Sequence, residues 1–133
     1  MSRVLLVDDN VDAVEATALV LRDWGHQVRI AADGRTALFV ARAWRPQVLL
    51  LDIGLPGMDG FAVAAALRQE PAVSACRIIA VSALHHEGDD ATLAAAGIDQ
   101  FLRKPLDLAF LRSLLGKADF TREKQVPPSP LTY

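Results

Sequence analysis

Val4-Leu5-Leu6-Val7-Asp8-Asp9-Asn10 sets four apolar residues directly before two acids. The same device returns further on: Val48-Leu49-Leu50-Leu51 runs into Asp52, and Ile78-Ile79-Ala80-Val81 runs into Ser82. Val28-Arg29-Ile30-Ala31 is a weaker run, and Phe101-Leu102 is a short one that leads to Lys104. Continuous apolar runs of this length suit strands covered on both faces. The stretches between them have helical patterns. Val14, Ala18 and Leu21 stand at helical spacing, and Gly25 is placed as a stop. Asp33 is a cap for a helix through Leu38 and Ala41 to about Arg45, where Pro46 blocks continuation. Asp59 is a cap for a helix over Phe61–Glu70, closed by Pro71. A fourth helix is expected from about Asp89 to Ala96, ending at Gly97. A fifth, from about Asp107, carries Leu108, Leu111, Leu114 and Leu115.

Strict strand–helix alternation predicts an α/β fold: a doubly wound, five-stranded parallel sheet of order 2-1-3-4-5 with helices on both faces. In such sheets the chemistry sits beyond the carboxyl ends of the strands, where the winding reverses between strands one and three. The residues just after Val7 and just after Leu51 are therefore the places to look.

The bulk composition is compatible with this. A chain of 133 residues is one domain's worth and can bury a core without metals or disulfides. The formal net charge of −2 offers no basic field, which argues against nucleic-acid binding by this chain. No apolar stretch approaches the roughly 18 residues of a membrane span, and Val4–Val7 is too short for a signal peptide. The single cysteine, Cys76, permits no internal disulfide and fits a cytoplasmic location. The helical pattern fades from Gly116, and Val126-Pro127-Pro128-Ser129-Pro130 cannot continue a helix. The expected organisation is one domain over residues 1–117 and a flexible, proline-containing tail or linker over 118–133.

Asp8, Asp9 and Asp52 meet the demand of the switch point. Three carboxylates in one crevice repel unless a cation or protons relieve them. Oxygen ligands without His or Cys select a hard ion, and Mg²⁺ is the usual one where phosphate chemistry follows. The plainer reading of adjacent acids at a strand end is helix capping, which Asn10 or Asp9 could do. Ser82 and Lys104 end two further strands at the same edge. A hydroxyl, a lysine and a metal are what a transferring phosphoryl group requires, and a carboxylate is a competent nucleophile that would form an acyl phosphate.

With these landmarks the sequence resembles the receiver domains of response regulators over about residues 3 to 116. The matching elements are Asp8-Asp9, the stretch Leu51-Asp52-Ile53-Gly54-Leu55-Pro56-Gly57-Met58-Asp59-Gly60, Ser82-Ala83 and Lys104-Pro105. The resemblance implies that Asp52 accepts a phosphoryl group from a phosphohistidine on a histidine kinase or histidine phosphotransfer protein. It implies Mg²⁺ bound by Asp9, Asp52 and the backbone carbonyl of Gly54, with Asp8 assisting through water. It further implies that Lys104 pairs with Asp52 and then with a phosphoryl oxygen, that Ser82 moves to a second oxygen, and that Phe101 is a switch residue. The Lys104–Pro105 bond is expected to be cis. On this reading the protein is not a conventional enzyme. It assists its own Mg²⁺-dependent phosphoryl transfer and slow dephosphorylation, and its output is a downstream protein target.

Serine replaces the family's frequent threonine at position 82, and Phe101 lacks the hydroxyl of the frequent tyrosine. A signal through Phe101 would therefore travel by packing. His85 and His86 read as loop residues, Trp24 and Trp44 as packing residues, and Cys76 as structural. Two other functions suit the same fold. A flavin or nucleotide binder would need a Gly/Ser/Thr phosphate loop where Asp8-Asp9-Asn10 stands. An aspartyl phosphohydrolase would want a second acid where Gly54 stands.

Overall fold

The computed structural model describes residues 2–55, 60–71, 73–82 and 97–115. Within them the chain runs β1 (Arg3–Val7), α1 (Val11–Asp23), β2 (Gln27–Ala31), α2 (Gly34–Trp44), β3 (Val48–Asp52), α3 (Gly60–Arg68), β4 (Arg77–Ser82), β5 (Gln100–Arg103) and α4 (Leu108–Leu115). The strands form one parallel sheet of order β2-β1-β3-β4-β5. This is the expected doubly wound topology. The helix expected over 89–96, the Asp59 cap, His85, His86 and the tail from 116 lie outside the described residues.

Alternation along the strands divides the apolar residues between two cores, because successive side chains point to opposite faces. Leu5, Leu49, Leu51 and Ile78 pack beneath α2 and α3 through Ala37, Leu38, Val63 and Leu67. Val4, Leu6, Leu50 and Ile79 pack beneath α1 and α4 through Val14, Ala18, Leu21 and Leu111. Burying each such Leu or Ile fully contributes about 1.5–3 kcal/mol. β2 reads as a weaker strand because it is the sheet's edge, with Gln27 and Arg29 exposed.

The helix ends follow local chemistry. The Asn10 side chain accepts from the Ala13 N–H and caps α1, and Asp33 accepts from the Thr36 N–H at 2.7 Å to cap α2. Gly25 and Arg45 take the left-handed backbone conformation just past the ends of α1 and α2. Asp107 accepts from the Phe110 N–H at 3.1 Å at the start of α4. Both bounds of α3 differ from expectation, the helix beginning at Gly60 and not Phe61. α3 ends at Arg68, not Glu70, and Gln69 and Glu70 close with bonds back to Ala66 and Leu67. Proline at position 71 disfavours a helical Glu70.

Register places the site. Val7 pairs with Leu51, so Asp8 and Asp52 leave neighbouring strands at the same level. Ser82 pairs with Arg103, and the Lys104 N–H donates to the Ser82 carbonyl at 2.9 Å.

Candidate functional site

Asp8 extends β1 by one bond, its N–H donating to the Ala31 carbonyl. Its Oδ1 accepts from the Asn10 N–H at 2.9 Å. Its Oδ2 accepts from Lys104 Nζ, also at 2.9 Å. Asp52 closes β3, and its Oδ1 accepts from the Gly54 N–H at 2.9 Å, which fixes the rotation of the carboxylate. Its Oδ2 stands 3.4 Å from Lys104 Nζ. The Asp8 and Asp52 side chains are each 13% exposed, whereas Asp9 is open to solvent. Oxygens of Asp8, Asp9 and Asp52 lie within 4.8 Å of one another. All-oxygen donors at this spacing fit a hard divalent cation.

Lys104 is the countercharge. Partial burial pulls its pKa down, but the hydrogen bond it donates to Asp8, the charges of Asp52 and Asp8 and the hydrogen bond it donates to Asp52 outweigh that, so it stands above the ordinary lysine value. The ammonium sits closer to Asp8 than to Asp52, a preference that the resemblance did not imply. The Lys104–Pro105 bond is cis.

Ser82 is buried at the end of β4 on the same edge. Phe101 is half-buried and packs against the core beneath α2 and α3. Gly54 is exposed, and a Cβ there would meet Asp52 Oδ1 at 3.5 Å, an ordinary contact. Gly60 is more demanding. A Cβ there would fall 2.5 Å from the Ile53 Cα, and the Gly60 N–H donates to the Ile53 carbonyl at 3.3 Å. Ile53 can sit this close to the start of α3 only because position 60 has no side chain. Sequence reasoning overlooked this role, and the signal for it is a glycine at the first position of a helix.

Beside the carboxylates a cavity of about 580 Å³ opens between α1 and the Lys104–Leu108 segment. Leu6, Val14, Leu50, Val81 and Leu106 make its wall apolar below the acidic rim. Charges beside such a wall are less screened than in open water.

Fold and geometry together define a class: doubly wound α/β proteins with an acidic, cation-suited cleft at the switch point of the sheet. The comparisons narrow it. Residues 4–115 match the response regulator receiver domain family, and the chain belongs to it. Response regulator PleD of Caulobacter vibrioides is 36% identical over 106 residues, which cover 80% of this chain and 23% of PleD. The chain thus spans about a quarter of that relative's length. The chemotaxis protein CheY4 of Vibrio cholerae superposes with a TM-score of 0.82 at 30% identity, over 87% of this chain and 97% of that one. The receiver domain of sensor histidine kinase PA1611 from Pseudomonas aeruginosa, whose structure has a magnesium ion coordinated in the active-site cleft, superposes with a TM-score of 0.77 at 32% identity, over 86% and 93% of the two chains. The family is one of two-component signalling. Among the described residues no helix is long and apolar enough to cross a membrane.

Proposed function

We propose that the chain is a phosphorelay receiver: Asp52 accepts a phosphoryl group from a phosphohistidine on a histidine kinase or histidine phosphotransfer protein. The observation that carries this reading is the convergence of Asp8, Asp9, Asp52 and Lys104 at one strand edge. Asp9, Asp52 and the Gly54 carbonyl would hold Mg²⁺, with Asp8 assisting through water. When bound, the ion supplies positive charge against the oxygens of the transferring group.

The chain's own residues do the rest. An Asp52 carboxylate oxygen forms the new P–O bond as the donor's P–N bond breaks. The imidazole leaves with its electron pair and takes up a proton. The Gly54 N–H keeps the Asp52 carboxylate oriented. Lys104, held by Asp8, meets the incoming negative charge with its ammonium. Ser82 donates its hydroxyl to a second phosphoryl oxygen, and Phe101 repacks in response. The phosphorylated form presents a changed surface to a downstream protein, in the cytoplasm, with no nucleic acid bound by this chain. The functional unit extends to about residue 117, and residues 118–133 serve as a tail or linker.

Incubation with acetyl phosphate and Mg²⁺ should add one phosphoryl mass to the intact protein. Asp52→Asn should remove that addition. Full labelling of the Asn variant would place the acceptor elsewhere.

A further inference from the structure

Among the described residues the two most exposed large apolar side chains are Phe39, 73% exposed, and Leu19, 67% exposed. One exposed leucine is ordinary on a soluble protein. The setting of these two is what separates them. Leu19 lies in α1 with Glu15 four residues before it and Asp23 four after, and all three are exposed. Phe39 lies in α2 with Arg35 four residues before it and Arg42 three after, and all three are exposed. Residues three and four apart share a helix face. Each helix therefore presents an apolar side chain between two like charges, acidic on α1 and basic on α2; Arg22, three residues after Leu19 and also exposed, shares the α1 face but donates to the Val28 carbonyl at 3.0 Å.

The sign difference extends beyond the stripes. Along α1, Asp12, Glu15 and Asp23 stand against Arg22, whereas Arg35 and Arg42 are the charges of α2. Glu70 pairs with Arg42 at 2.7 Å, and the Arg42 side chain stays 54% exposed. Asp33 near Arg35 offsets part of the basic field, and the exposed Arg29 and Arg45 add to it.

We propose that the α1 stripe of one copy docks on the α2 stripe of a second copy. Leu19 then meets Phe39, and Glu15 and Asp23 meet the arginines. Charge complementarity selects this occupant, since each stripe repels its own kind. α1 covers one face of the sheet and α2 the other, so one molecule can use both stripes at once. Such a contact is heterologous. It does not close as a two-fold dimer but propagates head to tail or closes as a ring. A contact limited to one helix stripe on each copy belongs at the small, weak and transient end of the range of protein interfaces. It does not depend on the phosphorelay reading.

Sedimentation velocity on the full chain over a concentration series tests it. The weight-average sedimentation coefficient should rise with concentration at low salt. That rise should vanish at high salt, where the Debye length falls to about 3 Å near 1 M. Leu19→Asp and Phe39→Asp should each abolish the rise while keeping the native far-UV spectrum. An equal mixture of the two variants should restore association but stop at a 1:1 dimer, because one intact stripe remains on each partner. A wild-type chain that stays monomeric throughout would overturn the proposal. So would association that survives either substitution, or a variant mixture that stays monomeric while the wild type associates. Binding of a synthetic acidic, leucine-bearing helix at Phe39, without self-association, would also overturn it and assign α2 to a different protein.

Discussion

At the carboxyl end of the sheet, Asp8, Asp9 and Asp52 crowd together with Lys104 between two of them. At the opposite end the Arg68 guanidinium is surrounded by acceptors. It donates to the carbonyls of Gly97, Ser74 and Cys76 and to Asp99 Oδ2 at 2.8 Å. Asp99 in turn accepts from the Ile78 N–H, and Arg77 donates to Gln100 alongside. Arg68 and Asp99 side chains are 11% and 8% exposed, yet their charges are matched. The acids at the other end are comparably buried, apart from Asp9, and are only partly matched, three carboxylates facing the one ammonium of Lys104. Buried charge is tolerable where partners surround it and costly where like charges gather. The matched end anchors α3 to the entries of β4 and β5. The partly matched end gives up stability that a bound cation can return.

The sharpest way to break this contrast is Arg68→Ala. Removing one partner of a buried, hydrogen-bonded pair costs about 3–5 kcal/mol, so urea unfolding should shift strongly. Cys76 supplies an independent readout, because burial pushes its thiol up to about 12 and keeps it unreactive in the native state. Thiol labelling should be slow in the wild type and much faster in Arg68→Ala. A shift below about 1 kcal/mol with unchanged labelling would show that the matched end is not an anchor.

Gly60→Ala probes the partly matched end through shape. The added methyl meets Ile53 backbone, and relieving that overlap should cost about 1–3 kcal/mol. The displaced loop carries Gly54, so Asp52 phosphorylation should slow as well. Normal stability and normal rate together would mean that the loop is compliant.

Asp9→Ala is expected to act in the opposite direction. Loss of one crowded acid should leave the metal-free protein unharmed or raise its stability by about 0.5 kcal/mol, while Mg²⁺ binding weakens. Melts with and without Mg²⁺ check both halves. A clear destabilisation without metal would make Asp9 a structural residue and dissolve the contrast.

The smallest effect is the alkaline one. The native state holds the Lys104 proton more tightly than the unfolded chain does. Its contribution is therefore complete below the unfolded value of 10.5 and is lost as pH rises through the higher native value. The stability difference between wild type and Lys104→Met should shrink over that window and stay flat from pH 6 to 9. A difference that grows with pH would reverse the sign of the coupling.

Most of the fold was legible in the apolar runs, because strands buried on both faces need uninterrupted hydrophobic residues. Asp8, Asp9, Asp52 and Lys104 were legible as strand-end residues and from the family's motifs. The Arg68 cluster was not. Arg68 reads as an ordinary last-turn basic residue, and its acceptors at Gly97 and Asp99 lie 29 and 31 residues away. Arg77 and Gln100 look like surface residues at strand starts, yet both are buried. No periodicity encodes a polar side chain that is buried because distant partners enclose it.

The sequence by itself determined the strand–helix alternation, the parallel sheet and the edge on which the acids gather, since these follow from period, length and the handedness of parallel crossovers, and the strand order was expected as the common one for five such strands. Only the tertiary structure decided which acid Lys104 prefers, where Arg68 finds its partners, and why position 60 must be glycine. Those outcomes depend on distances of a few ångströms between segments far apart in the chain. Such distances are set when helices and sheet pack, and residue type does not record them.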